Sequence, residues 1–147
     1  MNRKRLAAVL RIRELQERGA RGELARTRRD HETSVATEQR MWEHITAFGT
    51  VQGRTLTPAD LHGRQQMVAS GVLSAQSQHI VTERALIAVD VAHEEWTVAA
   101  RRVEALERLS ERLIESEREE SSRLQSNEID DLVLARRGHG DDAEAFS

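Results

Sequence analysis

GTVQGRTLTPAD, residues 49–60, is the stretch on which the fold turns. Two glycines, three threonines and the only proline of the chain fall together here, and nowhere else do several turn signals coincide. The last four residues also read as a helix start. Thr57 suits the N-cap, where its hydroxyl accepts an orphan backbone N–H, and Pro58 suits the first helical position. Asp60 sets a negative charge near the positive end of the helix dipole. One break of this kind predicts two helices joined by a turn over about 49–57.

Working outward, residues 4–48 are compatible with one helix. Leu6, Val9, Leu10, Ile12 and Leu15 begin an apolar stripe, and Leu24, His31, Val35, Trp42, Ile45 and Gly49 continue it at mostly 3–4 spacing. Gly19 and Gly22 weaken its middle, each by roughly 1 kcal/mol against alanine. After the break, Leu61, Gln65, Val68, Val72, Ala75, His79, Thr82, Leu86, Val89, His93, Trp96, Ala100 and Val103 keep one face. The phase then shifts through Leu106, Leu109 and Leu113 in the manner of a stutter. Leu124, Ile129, Leu132 and Leu134 carry the second helix from about 58 to about 136, and the glycine-rich, acidic residues 137–147 are expected to fray. The expected fold is all-α, a single antiparallel two-helix coiled-coil hairpin spanning residues 1–147, its second helix longer than its first.

Composition agrees. Charged residues make up 32% of the 147, aromatics 3%, and there is no tyrosine, which is the usage of long helices around a narrow seam. With no cysteine, disulfides and thiolate metal sites are excluded. The start, MNRKRLAAVLRIR, has too short an apolar run for a secretion signal. The longest uncharged stretch, residues 65–82, holds four glutamines and three serines and is no membrane span. Net charge runs from +5 over residues 1–54 to −7 over residues 104–147.

A turn centred near residue 53 sets Ile45 against Leu61, Leu15 against Val91, Leu10 against Trp96 and Arg11 near Glu95. It also brings Arg3–Arg5 towards Arg101 and Arg102, which a shift of four or more residues relieves. Under either register the first helix is expected to run out near residue 103. Leu106, Leu109 and Leu113 then lie bare among the acids of the second helix as an adhesive stripe.

Catalytic motifs are sparse. HEEWT, residues 93–97, begins like the zinc-protease H-E-x-x-H, but Thr97 replaces the second histidine. Asp90 and His93 have the spacing of di-iron bundles without the further inward carboxylates those sites need. There is no P-loop, no G-x-S-x-G and no dinucleotide fingerprint. No enzyme, cofactor or metal is expected. Residues 3–5 (RKR) and 25–30 (ARTRRD) offer cations for phosphate, but Glu14, Glu17 and Glu23 dilute them and no aromatics interleave, so nucleic acid is not expected.

Two stretches carry a resemblance. LAAVLRIRELQERGARGELA, residues 6–25, is similar to the opening of the flagellar export protein FliJ family, where a leucine-rich start runs into an R-x-R-E-L-Q segment. VEALERLSER, residues 103–112, followed by EREE and NEIDDL, resembles that family's C-terminal signature. Leu113, Ile114, Ser116, Ser121 and Ser122 stand where the signature is richer in arginine and aromatics. The resemblance implies a non-enzymatic stalk or adaptor of the flagellar type III export apparatus, serving motility. It implies as partners the hexameric export ATPase, the membrane-embedded export gate and export chaperones. It implies a cytoplasmic protein, peripheral to the inner membrane at the base of the flagellum. Arg11, Arg13, Glu14, Leu15 and Gln16 match the N-terminal motif, and Glu104, Leu106, Leu109, Glu111 and Arg112 the C-terminal one. With Leu113 of the bare stripe these are the expected partner-binding residues. Two other readings fit the residues alone: a coiled-coil scaffold unrelated to secretion, and a binder of nucleic acid or membrane surface through the basic N-terminus.

Overall fold

The computed structural model describes residues 2–50 and 56–144, with side chains described as far as residue 140. It consists of two helices, α1 (Arg3–Gly49) and α2 (Pro58–Glu144). Most of the expected turn, residues 51–55, lies outside the described residues. Helix α2 continues past the expected end near residue 136 to Glu144.

Both helix starts are built as their sequences dictate. The Thr57 hydroxyl accepts from the Asp60 backbone N–H at 3.2 Å, while the Asp60 carboxylate accepts from the Thr57 N–H at 3.3 Å. This reciprocal capping box satisfies two donors that would otherwise be orphaned. Asn2 caps α1, its side-chain oxygen accepting from the Lys4 N–H at 3.2 Å. Thr46 closes the other end of α1: its carbonyl accepts both the backbone N–H and the hydroxyl of Thr50, at 3.1 and 2.8 Å.

The chain divides into two compact units, Arg13–Arg101 and Met1–Ile12 with Arg102–Ser147. In Arg13–Arg101 the helices run antiparallel. Glu17 reaches Trp96, Ser34 reaches Gln78, Glu38 reaches His79, and Ile45 lies against Gly71. These pairs replace the register centred on residue 53. Ile45 faces Gly71 rather than Leu61, and Trp96 meets Glu17 rather than Leu10; the expected pairs of Leu15 with Val91 and Arg11 with Glu95 fall with that register. In this register Leu61, close to Phe48 and Gly49, is left 46% exposed.

The seam of α1 steps through Glu17, Ala20, Leu24, Thr27, His31, Ser34, Glu38, Met41 and Ile45, an unbroken 4–3 alternation. That of α2 steps through Val68, Gly71, Ala75, Gln78, Thr82, Ala85, Val89, Ala92, Trp96 and Ala99. Three expected positions of α2 are therefore displaced by one residue, while Val72 and Ala100 stay half-buried beside Gly71 and Ala99. His79, Leu86 and His93 stand outside the seam, where Gln78, Ala85 and Ala92 take their places. Small residues win because they let the helices approach: a Cβ built on Gly71 would lie 3.0 Å from Ile45 Cγ1.

Candidate partner-binding interface

Within Arg13–Arg101 the seam holds polar side chains that are satisfied locally. Glu17 is only 9% exposed, yet its Oε1 accepts from Trp96 Nε1 at 2.9 Å and from Arg21 Nη2 and Nε at 2.6 and 3.1 Å. The Trp96 hydrogen bond, followed by that of Arg21, holds the Glu17 carboxyl below the usual carboxylate range. Thr27 returns its hydroxyl to the Leu24 carbonyl at 3.0 Å. Further along, His79 Nδ1 sits 2.8 Å from Glu38 Oε1 and its Nε2 lies 3.1 Å from Glu83. The hydrogen bond and charge of Glu38, with a smaller contribution from Glu83, raise the imidazole above its ordinary value. Among the described residues no buried side-chain polar atom lacks a partner.

In the unit of Met1–Ile12 with Arg102–Ser147, Leu6 is 2% exposed, the most deeply covered large side chain described. Arg3 Nη1 lies 3.6 Å from Glu117 Oε2. Counting antiparallel from that pair, Leu6 falls level with Ile114 and beside Leu113, both half-buried, and Leu10 level with Ser110, also half-buried; Leu106, one turn before Ser110 on α2, is half-buried too. The α2 seam runs Val103, Leu106, Ser110, Leu113 without a phase change, so the expected stutter is absent. The first helix therefore covers α2 as far as about residue 117, not 103. Beyond that, residues 118–140 are all exposed, and Leu124, Ile129, Leu132, Val133 and Leu134 lie 45–65% open on a helix without a partner.

This divides the expected site residues. Leu106 and Leu113 belong to the packed seam; Leu109 turns outward at 44% exposure. Glu104, Glu111 and Arg112 are exposed, Glu104 being engaged by Arg108 one turn away. Arg11 is exposed in the same unit. Arg13, Glu14, Leu15 and Gln16 belong to the other unit. There Arg13 and Glu14 are half-buried, Leu15 is 65% exposed, and Arg13 Nη1 donates to Gln16 Oε1 at 3.0 Å. The uncovered length expected of the longer second helix takes in Leu124 to Leu134, and these are exposed; what differs is its start, near residue 117 instead of 103.

No described helix is long and apolar enough to cross a membrane. Among the described residues no cluster of three or more His, Asp or Glu side chains is arranged to hold a metal ion. Compared with known families, residues 2–140 match the model described as flagellar FliJ protein. The chain belongs to the FliJ family. The match takes in both stretches that carried the resemblance and nearly all of the two helices. Members of the family are components of the flagellar export apparatus, and so is this chain. Comparison with curated proteins gives no match, and comparison with solved structures gives none either.

Proposed function

We propose that the protein is a non-enzymatic stalk or adaptor of flagellar protein export, acting in the cytoplasm at the base of the flagellum and peripheral to the inner membrane. Its partners on this reading are the hexameric export ATPase, the export gate and export chaperones. The match of residues 2–140 to the FliJ family carries the proposal. The free length of α2 supports it, because an exposed helix bearing Leu124, Ile129 and Leu132 among acids and arginines is the form in which a helix offers itself to a groove.

The binding surface is assigned to the outward residues of the expected set. Leu109, Glu111 and Arg112 contact the ATPase ring on α2, and Glu104 and Arg11 flank them. Leu15 and Gln16 form a second exposed contact. Leu106 and Leu113 act indirectly, by holding α2 against the first turns of α1. The test is a pull-down of the purified cognate ATPase by the full-length chain. Leu109→Ser combined with Arg112→Glu is expected to lower retention at least tenfold, about 1.4 kcal/mol or more, with helicity unchanged by circular dichroism. Undiminished retention would remove this surface from the interface.

A further inference from the structure

The side of α2 turned away from α1 within Arg13–Arg101 also follows a 3–4 rhythm: Leu73, Ser77, Ile80, Arg84, Ile87, Val91, Glu94, Val98. All eight are exposed, and the five apolar ones retain 46–66% of their surface. Only two charges interrupt the stripe, Arg84 and Glu94. Arg84 has Ile80, Val81, Ile87 and Ala88 as its helical neighbours three and four residues away, so its own helix offers it no carboxylate. Among the described residues neither Arg84 nor Glu94 forms an ion pair within the chain.

We infer that this face pairs antiparallel with the same face of a second copy of the chain, about a twofold axis level with Val89. In that register Ile87 lies level with the second copy's Val91, Arg84 with its Glu94, and Ile80 with its Val98. Symmetry repeats each pair on the other side of the axis. Six consecutive layers thus join apolar to apolar or cation to anion. A displacement of one heptad sets Arg84 on isoleucine and Glu94 on serine in one direction, and Arg84 on Arg101 and Glu94 on valine in the other. A parallel pairing sets each charge against its own copy. The two charges therefore select both direction and register, as isolated polar residues do in coiled coils.

The span from Ile80 to Val98 covers about 28 Å of helix at 1.5 Å per residue. Together two such stripes bury on the order of 1,000 Å², enough for a specific, reversible dimer. Asp90 flanks the stripe and meets its own copy near the axis, at the solvated rim. This like-charge contact weakens the pair without changing its register. The inference does not rest on the export role.

Sedimentation velocity of the full-length chain over a concentration series tests it. A monomer–dimer equilibrium is expected at micromolar concentration. Arg84→Glu alone and Glu94→Arg alone are each expected to weaken it more than tenfold, and the double exchange to restore it. Asp90→Asn is expected to tighten it severalfold. All three substitutions lie at exposed positions, so circular dichroism should show unchanged helicity. A chain that stays monomeric throughout overturns the inference, as does a dimer indifferent to the single reversals. A monomer whose Ile87→Asp variant loses the export ATPase would assign this face to that partner instead and equally overturn it.

Discussion

Between Leu73 and Val98, the side of α2 that meets α1 carries Ala75, Gln78, Thr82, Ala85 and Ala92, whereas the opposite side carries Leu73, Ile80, Ile87, Val91 and Val98. Apart from Val89 and Trp96, the seam residues of this span are small or polar, and the other large apolar residues lie outside it. A seam of this kind holds through close approach and through paired polar groups such as Glu17 with Trp96, more than through the area of large side chains. It also makes the two faces respond differently to substitution.

The largest contrast is expected from bulk. Ala75 is fully buried, and Ala75→Leu should lower stability to urea by about 3 kcal/mol through overpacking. Ile80→Ser on the outward face should leave a monomeric chain within about 0.5 kcal/mol of its parent. Equal losses from the two would erase the distinction between the faces.

Removing a seam hydrogen bond comes next. Trp96→Phe keeps the ring but deletes the donor to Glu17, and a loss of about 1.5 kcal/mol is expected for a bond to a charged group. The same variant should lose less at acid pH. The Glu17 carboxyl titrates below its usual value of 4.5, so its contribution is present above that value and fades as pH falls through the lowered one. A pH-independent cost, read from unfolding curves, would remove Glu17 from the account.

Glycines sharpen the comparison further. Gly19 and Gly22 have nothing within 4 Å of an added Cβ, so alanine at each should stabilise α1 by about 1 kcal/mol. Gly71→Ala gains the same helix propensity but presses its Cβ against Ile45, and its melting temperature should not rise. A stabilised Gly71→Ala would show that the helices have room to spare.

The smallest effect is the pH response of His79. Because Glu38 raises its value above 6.5, the pair's stabilisation is fully present below 6.5 and is lost as pH rises through the raised value. Thermal midpoints measured from about pH 6 to about pH 8 should fall in the parent and fall less in Glu38→Gln. Identical slopes would remove the His79–Glu38 pair from the fold's energetics.

Much of this was legible in residue order. The break at residues 49–60 and the cap at Thr57 rest on local backbone chemistry, which needs no partner to act. Half of the α2 seam, at Val68, Ala75, Thr82, Val89, Trp96 and Val103, was legible for the same reason: hydrophobic periodicity registers there directly. At Leu86 and His93 periodicity points to the wrong residue, because these are bulkier than their neighbours Ala85 and Ala92, and bulk is what a periodicity count follows. Leu106 and Leu113 look bare in the sequence for a related reason. Without the register, the last covered turn of α2 and the first free one look alike in sequence.

From the sequence alone came two helices, the place where they part, and membership of a family whose motifs lie at the ends of the chain; each depends on neighbours a few residues apart. The tertiary structure alone decided the register, the phase of the seam, and which leucines stay in water. Those depend on how closely two helices approach, a quantity set by pairs such as Ile45 with Gly71 and Glu17 with Trp96 that lie 26 and 79 residues apart.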